Sequence, residues 1–231
     1  MEQEGAESGG GTRAVSVPIG PAALDGDLRL PSDACGTVAF AHGSGSGRHS
    51  PRNRLVAEEL SRAGFATLLL DLLTATEERE NLRTGRLRFD IGLLGDRMLH
   101  ALDWLARDPD TADLDVGLFG ASTGAAAALV AAAARPPTVR AVVSRGGRPD
   151  LAGAALREVV APTLLIVGGD DTPVIEMNRD AMRAMECEHH LEIVPGATHL
   201  FEEPGALETV ARLARDWFGH HLPAPDLPAR G

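Results

Sequence analysis

Short apolar segments alternate with longer segments of helical periodicity along this chain, and this alternation restricts the possible folds more than any other feature. It is typical of a mostly parallel sheet covered by helices. Residues 14–19 and 28–30 flank the sequence Leu-Asp-Gly-Asp at 24–27, which predicts an antiparallel hairpin at the sheet edge. The sequence thus predicts an α/β fold of about eight strands, with the remaining apolar segments at residues 37–41, 65–70, 116–119, 139–143, 163–167 and 191–194.

Helix signals fall where this scheme requires them. Ser50 and Pro51 predict the start of a helix that ends at Gly64, and Thr172 with Pro173 predicts the start of another. We expect residues 13–221 to form one domain, because no linker or internal repeat divides them.

Both ends of the chain differ from this domain in composition. Residues 1–12 are rich in Glu and Gly and predict a disordered arm, while residues 222–231 contain three prolines and predict a loose tail. Residues 144–161, between the predicted strands at 139–143 and 163–167, are too few for a lid domain.

The composition excludes several kinds of chemistry. All 22 basic residues are Arg, and the chain contains no Tyr, so lysine Schiff bases, a P-loop lysine and tyrosine acids are ruled out. The net charge of −11 argues against nucleic acid as a partner. The two cysteines are too few for a disulfide framework or a Cys-rich zinc site.

The sequence also carries expectations about location. Its acidic, glycine-rich start lacks the apolar segment of a secretory signal. The most apolar stretch, residues 125–134, is about half of the roughly 20 residues needed to span a bilayer. We therefore expect a cytoplasmic protein without a membrane partner. The oligomeric state is left open, and a homodimer is among the states that the sequence allows.

The pentapeptide Gly-Ala-Ser-Thr-Gly at 120–124 is the strongest catalytic motif. It follows one apolar segment and opens an alanine-rich helical segment, as the G-x-S-x-G nucleophile elbow does. The glycines permit a tight turn that exposes the hydroxyl of Ser122, and the free N–H groups of the next helix point toward it. The alternative is that Ser122 is an ordinary helix N-cap.

A serine nucleophile needs a base and an acid, which in this architecture follow it along the chain at the ends of later strands. Asp170 and Asp171 follow one apolar segment, and His199 follows the next. We assign His199 as the base and favour Asp171 as the acid, although either aspartate, or Thr172, could instead cap the following helix.

An acyl-transfer site also needs hydrogen-bond donors for an oxyanion. The loop His-Gly-Ser-Gly-Ser-Gly at 42–47 follows an early strand, so the expected donors are the backbone N–H groups of Thr123 and Ser44, with Gly45 as the substitute for Ser44. We expect His42 to shape this loop through hydrogen bonds. The same run could instead bind phosphate, although it lacks GxGxxG spacing and a lysine.

These motifs together resemble those of α/β-hydrolases: HGSGS after one strand, GASTG at the elbow, GGDD before a helix and GATH before the last helix. The likeness spans residues 37–218 and is greatest to small, lidless dienelactone-hydrolase-like proteins, which carry their acid on a GGxD turn and their histidine in GxxHxF, here His199 to Phe201. Dienelactone hydrolases proper have cysteine where Ser122 stands, and this departure favours general ester hydrolysis over dienelactone as the substrate. The resemblance therefore implies a serine-dependent hydrolase of a small carboxylic ester or lactone.

The mechanism leaves alternatives open. A triad needs no metal or organic cofactor, and an acyltransferase or a perhydrolase would use the same residues with another acceptor. A non-catalytic binding module on the same scaffold is a further alternative.

Several arginines are candidates for contacts with an acidic substrate group. Arg145 and Arg148 follow a strand end, where either could bind a carboxylate or instead hold loop carbonyls or pair with Asp150. The long segment 71–93 could cover the site or form a solvated, charge-paired helix. Its arginines are Arg79, Arg83, Arg86 and Arg88.

Overall fold

One mixed sheet forms the centre of the computed structural model, which describes residues 11–222. Its strands in this range are β1 (Thr12–Ile19), β2 (Ala22–Arg29), β3 (Gly36–Ala41), β4 (Phe65–Leu70), β5 (Val116–Ala121), β6 (Val139–Arg145), β7 (Thr163–Gly168) and β8 (His189–Val194). Their order in the sheet is β1-β2-β4-β3-β5-β6-β7-β8. β1 pairs antiparallel with β2, β2 antiparallel with β4, and all other pairs are parallel. The predicted eight-stranded α/β fold is confirmed.

Helices cover both faces of this sheet. Their ranges are α1 (Pro51–Arg62), α2 (Ala75–Thr84), α3 (Ile91–Leu105), α4 (Thr123–Ala134), α5 (Thr172–Met182) and α6 (Ala206–His221), with 3-10 helices at Leu87–Phe89 and Pro149–Glu158. Because strand side chains alternate between faces, Phe119 and Val143 pack with α1 and α6. Leu118 and Val142 pack with α3 and α4 on the other face.

Most of the strands that lead to the site are buried on both faces, whereas β8, which precedes His199, is largely exposed. Every residue of β3, β4, β5 and β7 is buried, as expected for parallel strands between two layers of helices. The loops at their carboxyl ends therefore extend from a rigid base. This edge of the sheet brings together loops that are distant in the sequence.

The first hairpin turns earlier than predicted. Ile19 pairs with Ala22, so the turn is Gly20-Pro21, and Gly20 supplies the positive φ of 67° that a two-residue hairpin loop requires. The predicted turn at 24–27 lies inside β2, where the burial pattern alternates between the two faces. Asp25, Gly26 and Asp27 are residue types that are common in turns, but buried and exposed residues alternate here with the period of two that is typical of a strand.

The chain ends also differ slightly from the expectation. Most of the predicted arm and tail, residues 1–10 and 223–231, lies outside the described residues. Thr12 already pairs with Arg29 in β1, and Leu222 is buried against Gly36 and Gly117. The prediction therefore places the start of the tail one residue too early, because Leu222 completes the core beneath α6.

The predicted helix starts are close to those observed. The hydroxyl of Ser50 accepts a hydrogen bond from the Asn53 N–H at the start of α1, and Gly64 follows the end of that helix with a φ of 93°. α5 begins at Thr172, with Asp171 at the N-cap position. The short 3-10 helix between β6 and β7 replaces any lid domain. Within residues 11–222, no helix combines the length and apolar character needed to cross a membrane.

Candidate active site

Ser122 lies at the tip of a strained turn between β5 and α4. Its φ of 51° and ψ of −120° are values that residues other than glycine rarely adopt. Although Ser122 occupies the N-cap position of α4, its side chain does not cap the helix. The half-buried hydroxyl is thus left available for other chemistry, which is the geometry expected of a nucleophile elbow.

The two glycines of the elbow are required by close backbone contacts. A Cβ atom at Gly124 would lie 2.2 Å from the carbonyl oxygen of Ala41, and one at Gly120 would lie 2.4 Å from the Cα atom of Ala125. Real Cβ atoms do not approach other atoms so closely, so only glycine fits at either position. The tight packing of β3, β5 and α4 fixes the position of Ser122.

His199 and Asp171 form a hydrogen-bonded pair at the ends of β8 and β7. The Nδ1 atom of His199 lies 2.7 Å from Oδ2 of Asp171, whose side chain is only 14% exposed. Asp171 makes no cap hydrogen bond to α5. Asp170, by contrast, is exposed. With Nδ1 donating to Asp171, the Nε2 atom of His199 is free to accept a proton.

The last residue of β6 and the glycine after it lie between Ser122 and His199. The N–H of Ser122 donates to the carbonyl of Arg145 at 3.2 Å. A Cβ at the next residue, Gly146, would lie 3.6 Å from Cε1 of the His199 ring. The Ser122 hydroxyl and His199 share no hydrogen bond within residues 11–222. Such contacts often tighten only when substrate binds.

The loop after β3 packs directly on the elbow. A Cβ at Gly43 would lie 3.0 Å from Cβ of Ser122. The N–H of Ser44, one predicted oxyanion donor, donates to Oγ1 of Thr123 at 3.1 Å. The N–H of Gly45, the substitute donor, makes no hydrogen bond to any residue between 11 and 222. Of the two, Gly45 is therefore the freer donor in this conformation.

His42 holds this loop in place, as predicted. Its Nδ1 donates to the carbonyl of Gly43 at 2.9 Å, and its Nε2 accepts the N–H of Leu72 at 3.0 Å. Burial lowers the pKa of His42, which favours the neutral ring that these two contacts require. His42 is thus occupied on both nitrogens and cannot serve as a second base.

The two arginines after β6 have different surroundings. Arg148 pairs with both carboxylate oxygens of Asp150, at 2.8 and 2.7 Å. Arg145 is 7% exposed, and its Nε and Nη1 atoms have no hydrogen-bond partner among residues 11–222. The ion pair with Asp150 that was considered for either arginine is therefore formed by Arg148. Arg145 makes no such pair.

The segment between β4 and α3 includes a largely solvated helix, α2, and borders the site at its C-terminal end. Thr74 and Glu77 form a capping box at the start of α2. Arg88, from the following 3-10 helix, lines a small cavity together with Ser44 and Thr123. Three other arginines of the segment are exposed, and they are Arg79, Arg83 and Arg86.

An open cleft of about 530 Å³ is lined in part by the loop after β3. Its lining includes Arg52 on α1 and Glu78 on α2 but neither Ser122 nor His199.

In the described part of the chain, no three His, Cys, Asp or Glu side chains are grouped so that they could hold a metal ion.

Two residues at the site were not predicted from the sequence. Gly146 lies beside the ring of His199, since a Cβ there would be 3.6 Å from Cε1, and the charge of Arg52 acts on Arg145 although 93 residues separate them along the chain. Neither belongs to a motif. Only the arrangement of the loops in space reveals them.

Comparisons with known proteins agree with this geometry. A model of the Dienelactone hydrolase family matches residues 40–220. The crystal structure of a dienelactone hydrolase from Anabaena variabilis is 62% identical, with a TM-score of 0.91 over 93% of this chain and 99% of that one. Est1E from Butyrivibrio proteoclasticus, 17% identical, has the same fold, with a TM-score of 0.75 over 90% of this chain and 98% of that one.

A longer protein from Mycobacterium tuberculosis is also similar. It is named "Putative phosphoribosyl transferase" and is 60% identical over 211 residues, which make up 91% of this chain but 47% of that protein. This chain thus spans about half the length of that relative. The family match over residues 40–220 covers most of the domain described above, and this chain belongs to the dienelactone hydrolase family, with an α/β-hydrolase fold.

Proposed function

We propose that this protein is a serine hydrolase that cleaves a small carboxylic ester or lactone through an acyl-enzyme. One observation carries the proposal: the hydrogen-bonded pair of His199 and Asp171 lies on the same edge of the sheet as the strained elbow that presents Ser122. A Ser-His-Asp set in this chain order is the arrangement used for acyl transfer in α/β-hydrolases.

The first half of the reaction forms an ester on Ser122. As Oγ attacks the substrate carbonyl, Nε2 of His199 takes the hydroxyl proton, and Asp171 stabilises the imidazolium that results. The tetrahedral oxyanion accepts hydrogen bonds from the N–H groups of Thr123 and of Gly45 or Ser44. Collapse breaks the bond to the leaving alkoxide, which receives the proton from His199.

The second half hydrolyses the acyl-enzyme. Water gives a proton to His199 as its oxygen attacks the acyl carbon, and the proton then passes to Oγ of Ser122 as the carboxylic acid leaves. Removing one oxyanion donor typically costs 10²- to 10³-fold in kcat, about 3–4 kcal/mol. Both donors proposed here are backbone groups, so side-chain substitution leaves the N–H itself in place.

Hydrolysis of 4-nitrophenyl butyrate by matched variants tests the proposal. Ser122→Ala should reduce kcat by at least about 10⁴-fold. Ser44→Ala is the control and should keep a kcat close to that of the wild type, because it removes only the Ser44 hydroxyl and keeps the backbone N–H that donates to Oγ1 of Thr123. Ester hydrolysis retained by Ser122→Ala, in folded protein, would contradict the proposed nucleophile.

The proposal also specifies that water accepts the acyl group. The same acyl-enzyme could pass its acyl group to an alcohol or to peroxide instead of water. The name of the Mycobacterium tuberculosis relative describes phosphoribosyl transfer, which is a different reaction from acyl transfer. Product analysis with these acceptors in competition with water separates the cases. We expect the carboxylic acid as the main product, and a predominant transfer product would assign a transferase instead.

A further inference from the structure

Phe201, two residues after His199, adopts a strained backbone conformation. Its φ of 56° is rare for a residue other than glycine, and within residues 11–222 Ser122 is the only other such residue with a positive φ. Strained backbone persists only where the surrounding structure enforces it, and such residues cluster at functional sites. The strain marks two turns, the one that presents the proposed nucleophile and the one that presents the proposed base.

Phe201 closes the turn that carries His199. Its N–H donates to the carbonyl oxygen of Thr198 at 3.2 Å, so these residues bound a β-turn with His199 and Leu200 at its two central positions. Leu200 is 40% exposed, whereas Phe201 is 1% exposed. The chain therefore returns from the surface to the core directly after the proposed base, and the positive φ lies at the residue that completes this return.

The ring of Phe201 lies in the core beneath the loops of the site. It belongs to the cluster of buried side chains that includes Phe119 of β5 and Val143 of β6. A Cβ atom at Gly146 would lie 3.4 Å from Cε2 of Phe201 and 3.0 Å from the carbonyl oxygen of His199. The Phe201 ring and the His199 turn thus lie beside the same residue of the loop after β6.

This loop also holds the backbone of Ser122. The N–H of Ser122 donates to the carbonyl of Arg145 at 3.2 Å, and the carbonyl of Ser122 accepts the N–H of Arg148 at 3.0 Å. Gly146 lies between these two residues in the chain. Phe201 therefore supports the loop that fixes the nucleophile with its ring, and it fixes the turn of the base with its N–H.

We propose that Phe201 is a positioning residue, which sets the distance between Oγ of Ser122 and Nε2 of His199. This role rests on the proposed function, because it concerns the proton transfer between these two groups. Ser122 and His199 share no side-chain hydrogen bond within residues 11–222, so their separation depends on how the two loops are held. A misplacement of about 1 Å in such a site can cost about 10²-fold in rate.

Substitution of Phe201 tests this role. Phe201→Leu keeps an apolar side chain but removes the ring edge beside Gly146, and Phe201→Met is a second variant, whose flexible side chain fills irregular space. We expect each to lower kcat for 4-nitrophenyl butyrate by about 10- to 100-fold with little change in KM, because proton transfer and not substrate binding is impaired. An unchanged kcat in both variants would overturn the proposal.

Phe218→Leu is the matched control for the loss of core packing. Phe218 is 0% exposed and belongs to the same core cluster as Phe201. Its ring packs on Gly117, near the start of β5 and at the other end of that strand from Ser122. Phe218→Leu should lower the melting temperature about as much as Phe201→Leu does, and it should keep kcat within about twofold of the wild type. Equal losses of kcat in the two folded variants would show that Phe201 acts only through stability.

Proton NMR provides a test that needs no substrate. The Nδ1 proton of His199, in its hydrogen bond to Asp171, should give a downfield signal that is absent from His199→Ala. Phe201→Leu should shift or broaden this signal, because the turn that orients the imidazole changes, and Phe218→Leu should leave it in place. An unchanged signal in both Phe201 variants would contradict the positioning role.

The two measurements separate this role from the proposed function. A changed NMR signal in Phe201→Leu, in a protein whose wild type hydrolyses no ester, would retain the positioning of His199 by Phe201 and reject the proposed function. Ester hydrolysis by the wild type, with the same kcat and the same NMR signal in both Phe201 variants, would retain the function and reject the positioning role.

Discussion

At the scale of single residues, the geometry of the site is fixed by close contacts of the backbone and of the Asp171 side chain. Ser122 adopts a backbone conformation that few residues other than glycine accept, and its strain is held by the packing of β3, β5 and α4. Asp171 occupies an N-cap position, yet its carboxylate contacts His199 and makes no cap hydrogen bond. The local sequence thus suggests that Asp171 caps α5, whereas in the tertiary structure its carboxylate contacts His199.

The choice between the two neighbouring aspartates can be tested directly. Asp171→Asn should reduce kcat for ester hydrolysis by about 10³- to 10⁴-fold, because the imidazolium of His199 would lose its stabilising charge and its preferred tautomer. Asp170→Asn is the control and should retain wild-type turnover, since Asp170 is exposed. The reverse pattern would assign the acid to Asp170.

A single methyl group at the elbow should be poorly tolerated. Gly124→Ala would place Cβ 2.2 Å from a backbone oxygen, and we expect a loss of about 1–3 kcal/mol or more in the free energy of unfolding, measured by urea denaturation. Gly219→Ala is the matched control. Its Cβ would meet no atom within 4 Å, and alanine in α6 should be neutral or stabilising by up to about 1 kcal/mol. Equal effects of the two substitutions would contradict the close packing of the elbow.

At the scale of helices and strands, the spacing of apolar residues along the sequence predicts most of the architecture. The apolar segments, the proline-marked helix starts and the G-x-S-x-G turn all locate elements within a few residues. The hairpin turn is misplaced because Asp25-Gly26-Asp27 has the composition of a turn, whereas pairing across the sheet decides the register. The role of the segment after β4 is not predictable either, because the cavity that Arg88 lines together with Thr123 forms only in the tertiary structure.

The start of α2 should respond to acid. Burial raises the pKa of Glu77, but hydrogen bonds from Thr74 and the charge of Arg97 outweigh this effect, so the pKa lies below its usual value of 4.5. The ionised form is therefore stabilised by folding, and this contribution is present above the unfolded pKa and is lost as pH falls through the folded one.

Melting temperature as a function of pH checks this expectation. Glu77→Gln should lower the melting temperature at neutral pH and make the decline below about pH 4.5 shallower than in the wild type. Glu80→Gln, on the same helix, is the control, because Glu80 makes no ion pair within residues 11–222. A wild-type acid profile in Glu77→Gln would show that the capping box does not contribute to acid stability.

At the scale of the whole molecule, the parallel sheet brings distant segments to one edge. Ser122, Asp171 and His199 follow three different strands, and their order along the chain is visible in the sequence. The burial of Arg145 without a hydrogen-bond partner for its Nε and Nη1 atoms among residues 11–222 is not visible there, because it depends on how the helices pack over the end of β6. The fold and the candidate triad can therefore be predicted from motifs and period, whereas the electrostatics of the site requires the packed structure.

Labelling by a fluorophosphonate, followed by intact-mass measurement and peptide mapping, tests the central claim most directly. A nucleophile activated by His199 should form a single adduct on Ser122, and that adduct should disappear in folded His199→Ala. No adduct on the folded wild-type protein, or an adduct on another residue, would contradict the assignment of Ser122 as the nucleophile.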